Sequence, residues 1–170
     1  MSTLMHAVAV GVAVNESDAL VGALVLGEAG AGKSSLALML VDSCPFRRAA
    51  LVADDAVIVE AIDGALTARA PSALAGRIEV RGFGPAPVRH LSEVALRFAV
   101  DLSLASERVP PLREIRPLAG GPALPLYPLL WKGAEATAPA RLRAMASALS
   151  GGQIGERQQD SGPSRRNGSA

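Results

Sequence analysis

Eight consecutive residues, Gly27-Glu28-Ala29-Gly30-Ala31-Gly32-Lys33-Ser34, narrow what this chain can be more than any other stretch. They fit the pattern GxxxxGK[ST]. They also follow residues 19–26 (ALVGALVL), a continuously apolar run that reads as a strand buried on both faces. A helix is expected straight after, from Lys33 to about Ser43, apolar almost all round through Leu36, Ala37, Met39, Leu40 and Val41. Strand, glycine-rich loop and helix in that order make an anion cradle. The glycines let successive backbone N–H groups turn inward, and the helix adds the positive end of its dipole. A triphosphate suits such a loop, with Lys33 reaching its β- and γ-phosphates and the Ser34 hydroxyl ligating its Mg2+.

Chance alone would produce this pattern in about two of a thousand chains of this composition. Cation usage sharpens the signal. Of 17 Lys and Arg residues, Lys33 and Lys132 are the two lysines. Arginine is used nearly everywhere else, so a lysine in the loop points to a geometry that a planar guanidinium fits poorly. Lys132 sits in no motif and reads as a surface residue.

Other segments place a fold around the loop. Residues 7–14 (AVAVGVAV) suit a strand and residues 15–18 a turn. Residues 49–53 (AALVA) form the next strand, closed by Asp54-Asp55, and complete a strand–helix–strand unit whose parallel strands are expected side by side. Residues 56–62 and 65–70 flank Asp63-Gly64, a two-residue hairpin signal. A short strand over 77–80 is broken by Arg81-Gly82-Phe83-Gly84, and residues 94–104 contain a last core strand. Pro110, Pro111, Pro117, Pro122, Pro125 and Pro128 mark an irregular region. A helix is expected over 138–149, with Pro139 in its first turn. The fold class is therefore α/β, a mixed sheet around the phosphate-loop helix, with one domain over 1–149. Residues 150–170 lose apolar character and are expected to be a disordered tail.

Composition excludes several functions. Aromatic residues are 3% of the chain, so base-stacking nucleic-acid modules are disfavoured and the core must be aliphatic. Net charge is +1 with no basic stripe outside the tail, so no nucleic-acid partner is expected. Cys44 is alone, which fits a reducing compartment. The apolar run 7–14 is too short to span a membrane and no Lys or Arg precedes it, so a cytoplasmic protein with no membrane partner is expected.

Asp54-Asp55 lies at the carboxyl end of a strand beside the loop, where ligands of open α/β sheets sit. One of the two could contact metal while the other serves as base; the residues alone leave the assignment open. Glu79 and Arg81 share a face by alternation and read most simply as a solvated ion pair. His6 before the first strand and Arg108 in a polar loop carry weak signals of their own.

Together, His6, GEAGAGKS (27–34), LVADDAV (51–57) and IEVRGFG (78–84) resemble in order and spacing the catalytic domain of HPr kinase/phosphorylase. That family phosphorylates a serine of the phosphocarrier protein HPr. The likeness covers about residues 1–149 and is greatest to short proteobacterial forms without an N-terminal domain. The resemblance implies that His6, Lys33, Asp55 and Arg108 fall on active-site positions, with Asp55 taking the proton from the attacking serine. It implies Ser34 and Glu79 as magnesium ligands, Asp54 as their acidic neighbour, ATP as phosphoryl donor, and a hexamer as the assembled state. The chain departs from the family pattern at Ala29 and Ser35, often Ser and Glu in other members. It departs again near residues 116–126, the loop associated with dephosphorylation, so the kinase half of the activity is implied more directly than the phosphorylase half. Two other readings fit the loop: a small-molecule kinase of the phosphoenolpyruvate carboxykinase type, and a nucleotide-sensing regulator without catalysis.

Overall fold

The apolar run 7–14 forms one strand as expected, β2 (Val8–Val12), and a strand not foreseen from the sequence, β1 (Ser2–His6), precedes it and joins it through Ala7. The computed structural model describes residues 1–17, 19–105 and 107–155. All five residues of β2 are buried, so it lies inside the sheet, antiparallel to β3 (Val21–Leu26) on one side and to β4 (Ala50–Ala53) on the other. The expected side-by-side pairing of β3 and β4 is thus corrected. They run in the same direction with β2 between them, about two strand spacings (~10 Å) apart. The cause is visible in VAVGV, which is apolar on both faces and gains most from a central place.

The phosphate-loop helix α1 (Lys33–Asp42) follows β3 as expected. β5 (Ala56–Ile62) and β6 (Ala65–Arg69) form the anticipated hairpin, and both Asp63 and Gly64 have positive φ, as a two-residue hairpin turn requires. β7 (Arg77–Val80) and β8 (Gly84–Pro87) make a separate two-stranded hairpin. The long β9 (Glu93–Asp101) joins everything: one edge runs parallel to β3, and the other pairs first with β6 and then with β11 (Leu124–Pro128). β1 and β5 extend the β6 branch, giving one curled nine-stranded sheet.

The proline-rich region is more regular than its composition suggests. β10 (Arg113–Ile115) pairs with β11 over three residues, and β11 itself contains Pro125 and Pro128. Proline removes a ladder donor, so such strands are short and peripheral, which hides them from a pattern search. Helix α2 (Ala138–Gly155) begins where expected but continues past the boundary set at residue 150. Residues 156–170 of the expected tail lie outside the described residues.

Two aliphatic layers sandwich the sheet. Val8, Val10, Val12 and Val25 pack with Leu36 and Leu40 of α1 and Leu142 of α2, whereas Ala9, Leu24, Val52, Val57 and Leu66 fill the opposite layer. Neighbours Leu24 and Val25 fall in different layers, as a strand buried on both faces demands. Among the described residues, no helix is long and apolar enough to cross a membrane.

Candidate active site

Two bends in the backbone create the site. At Ala7 the chain leaves β1 for β2, and at Asp54-Asp55 it leaves β4 for β5. The bends sit against each other, since the Ala7 N–H donates to the Asp55 carbonyl at 3.2 Å. The second bend is sharp: Ala56 N–H donates to the Asp54 carbonyl at 2.7 Å across Asp55, whose φ is +64°. An i to i+2 hydrogen bond over a left-handed residue is a rare, strained γ-turn that costs about 1–3 kcal/mol. The strand therefore does not run through the two acids, and the turn rather than alternation aims their side chains.

Asp54 points inward and is 8% exposed. Its Oδ1 accepts the Ser34 hydroxyl at 2.6 Å and its Oδ2 accepts the Glu79 N–H at 2.9 Å. One carboxylate thus ties the first turn of α1 to β7. Asp55 points outward, with 73% of its side chain exposed, and its Oδ1 lies 2.9 Å from His6 Nδ1.

Lys33 joins this pair to the loop. It is 6% exposed, and its Nζ donates to the carbonyls of Gly27 at 2.9 Å and Glu28 at 3.0 Å. The same Nζ lies 3.4 Å from His6 Nε2. A lysine ammonium can only donate, so His6 Nε2 accepts, which leaves the ring proton on Nδ1, facing Asp55. Lys33, His6 and Asp55 form one polarised chain from the loop to an exposed carboxylate.

The loop is shaped for an anion. Gly32 precedes α1 with φ +101°, no side chain caps the helix, and its first turn carries no acid. The N–H groups at that end stay available to a ligand. A Cβ at Gly32 would fall inside the Trp131 indole, so glycine is required there by packing as well as by φ. The result is a cleft of about 390 Å3 lined by Gly30, Gly32, Lys33, Ser34, His6, Asp55, Glu79, Arg81 and Trp131 among others.

Of the expected site residues, His6, Lys33, Ser34, Asp55 and Glu79 line this cleft with Ala29, Gly30 and Gly32, and Asp54 lies directly beneath Ser34. Glu28 and Ala31 border a neighbouring cavity instead, and the Gly27 carbonyl holds Lys33. Arg108 is exposed in the segment after β9 and is not among the cleft's lining residues. Arg81, which was not singled out as a site residue, comes close to the loop, with Nη2 3.9 Å from a Cβ built on Gly30. Glu79 and Arg81 are both exposed, as expected, and both stand in the cleft wall. Trp131 and Ser103 were also missed; Ser103 Oγ accepts the Glu28 N–H at 2.9 Å and steadies the loop from the β9 side. A lone tryptophan in an aromatic-poor chain was the available hint for Trp131, and nothing in its own sequence singled out Ser103.

The donor set also tests for a metal. No cluster of three or more His, Cys, Asp or Glu side chains suited to an ion occurs among the described residues. The oxygens of Ser34, Asp54 and Glu79 are hard donors, few in number, and stand beside the phosphate cradle. That set fits Mg2+, which keeps several waters and binds through one or two carboxylates together with phosphates.

Comparison with known proteins follows the same lines. The model of the HPr serine kinase C-terminal domain family matches residues 1–102, more than half of the chain and every element that builds the cleft except Trp131. The chain belongs to this family. Over 64 residues it is 50% identical to the HPr kinase/phosphorylase of Clostridium kluyveri and 47% identical to that of Clostridium beijerinckii. Each match covers 38% of this chain and 20% of the relative, so the shared stretch spans about a fifth of those proteins. The structure of the Hpr(Ser) kinase/phosphatase from Coxiella burnetii superposes with a TM-score of 0.70 over 94% of this chain and 99% of the other, at 20% identity. That likeness establishes the HPr kinase fold, a mixed α/β sheet around a phosphate-loop helix.

Proposed function

We propose that this HPr kinase domain transfers the γ-phosphoryl group of ATP to a serine hydroxyl of the phosphocarrier protein HPr. The observation that carries the proposal is the joining of an anion cradle to an exposed carboxylate through Lys33, His6 and Asp55 in one cleft. A nucleotide sensor would need the cradle alone; a small-molecule kinase would need the same cradle and base, and it is the family to which the chain belongs that favours HPr as the acceptor.

The two acids take different parts. Asp55 is exposed, faces the cleft and has a free oxygen, which suits a base for an incoming hydroxyl. Asp54 is buried, accepts one hydrogen bond at each oxygen and orients Ser34 from beneath, beside the place a metal would take. Mg2+, when bound with the nucleotide, neutralises charge on the β- and γ-phosphates.

In the step itself, the serine oxygen forms a bond to the γ-phosphorus while the bond from that phosphorus to the β,γ-bridging oxygen breaks. The serine proton passes to Asp55 and ADP leaves. Lys33 and the N–H groups of the loop stabilise the charge developing on the transferred group and its leaving oxygen, and Arg81 adds a second cation. His6 holds Asp55 in place with its Nδ1 proton, a role Lys33 enforces by occupying Nε2.

Mass spectrometry of purified HPr after incubation with ATP, Mg2+ and this protein tests the reading. A single added phosphate on serine is expected; unmodified HPr, with a metabolite phosphorylated or with nucleotide bound and unspent, would replace it by one of the rivals. The hexamer implied by the family resemblance stays part of this proposal, and light scattering of the pure chain reads it directly.

A further inference from the structure

Between β11 and α2 the chain runs as a short strap, residues 129–134, laid against the phosphate loop. One end is pinned at the close of β9, where the Leu129 N–H donates to the Asp101 carbonyl at 3.0 Å. The strap then sets the buried Trp131 indole against Gly32, so closely that a Cβ there would meet the ring. It turns back where the Ala134 N–H donates to the Trp131 carbonyl at 2.9 Å, with Gly133 at φ +76°.

Arg141 closes this strap from the first turn of α2. Its Nη2 donates to the Leu130 carbonyl at 2.6 Å and to the Ala134 carbonyl at 3.3 Å. Those carbonyls stand on either side of Trp131, so one guanidinium nitrogen ties the two limbs of the strap together. Two features show that folding alone gains little from an arginine here. A cation in the first turn of a helix opposes the helix dipole, and among the described residues no carboxylate lies within ion-pair distance to offset it. The Arg141 Nε is also buried without a hydrogen-bond partner, which is unfavourable in itself.

We propose that Arg141 is a positioning residue for phosphoryl transfer. By holding both limbs of the strap it keeps the Trp131 indole seated on Gly32, and so keeps the phosphate loop in the shape that receives a triphosphate. The proposal rests on the reading of the loop as a nucleotide cradle and deepens it. Arg141 acts through Trp131, since it is not among the residues lining the cleft or the cavity beside it. Gly32 stands immediately before Lys33 and Ser34, so a shift there displaces the N–H groups at the start of α1 together. A loop free to leave that shape binds only through the fraction of molecules still in it. Apparent affinity then falls while the step that follows binding is unchanged.

Arg141→Met keeps the aliphatic stem and deletes the donors. In the full chain, calorimetric affinity for Mg·ATP is expected to fall about fivefold or more, and KM for Mg·ATP in HPr phosphorylation to rise alike, with kcat within about twofold. Trp131 is the single tryptophan, so quenching of its emission by acrylamide reads the strap directly. Without nucleotide the variant should be quenched about twofold more strongly, and saturating Mg·ATP should return it toward the unaltered protein. A residue serving stability alone would lower the urea midpoint and leave affinity and quenching unmoved. Arg141→Lys, which keeps the charge and a donor, should fall between the two; if the methionine chain does not fold, the lysine chain carries the same test at about twofold in KM. Unchanged affinity and quenching overturn the role of Arg141, as does a lowered kcat with KM unmoved. Absence of heat when Mg·ATP meets the unaltered chain removes the cradle reading, and the positioning role with it, which separates the two failures.

Discussion

The two flanks of the phosphate loop differ in their titratable side chains. On the β4 side stand His6, Asp54, Asp55, Ser34 and Glu79, joined by short polar contacts and a strained turn, with Arg81 in the same cleft wall. On the β9 and β11 side stand Leu102, Leu104, Leu130 and Trp131 with Ser103 and Lys132, and no carboxylate–histidine pair. A loop that only held a nucleotide would need no polar network on either flank. On the proposed reading, the side that carries the Lys33–His6–Asp55 chain is the one that moves the proton and the phosphoryl group. The two acids divide as well: one turn sends Asp54 into the protein, where it holds the Ser34 hydroxyl and the Glu79 N–H, and Asp55 out toward solvent beside His6.

The largest effect is expected where the flanks meet. Lys33→Ala removes the donor shared by two loop carbonyls and His6, and should lower HPr phosphorylation by about a thousandfold or more, read as phosphoserine formed per minute. Asp55→Asn keeps the shape of the reactive flank and deletes its basicity. Transfer should fall by about a hundredfold or more while Mg·ATP affinity stays within about twofold by calorimetry. Loss of nucleotide binding in that variant would place Asp55 among the ligand-holding groups and blur the division between the flanks.

Asp54→Ala acts on stability. It orphans the Ser34 hydroxyl and the Glu79 N–H, and urea unfolding should show a loss of about 2 kcal/mol. Gly32→Ala drives a Cβ into the indole at a positive φ, so a loss of about 1–3 kcal/mol and a shift of Trp131 emission are expected together. An emission spectrum that does not move would mean that the indole does not rest on the loop. The arginines supply the finest distinction. Arg81→Ala should slow transfer about tenfold and Arg108→Ala less than about twofold; the reverse order would require Arg108 to reach the phosphates from the segment after β9.

How much was legible in the sequence follows the range of the interactions. The loop, α1, the β5–β6 hairpin and β7 were readable because glycine spacing, apolar periodicity and Asp63-Gly64 are local signals. The place of β2 between β3 and β4 was not, since strand order is a tertiary choice. β10 and β11 were hidden by prolines that shorten strands without forbidding them. In the site, the loop and the acidic pair stood out from their residues, whereas the parts of His6 and Glu79 came from the family resemblance. The division between Asp54 and Asp55 could not be read in advance, because it depends on a γ-turn that strand alternation does not foresee. Arg81 and Trp131 reach the loop from elements distant in sequence, so no spacing rule links them to it.

The most direct measurement pairs two readings on the Asp55→Asn protein: heat released on adding Mg·ATP, and phosphoserine formed on HPr. Binding like that of the unaltered protein together with loss of transfer is the predicted result. Phosphoserine formed at the unaltered rate, or no heat from the unaltered protein itself, would contradict a nucleotide cradle wired to a catalytic carboxylate.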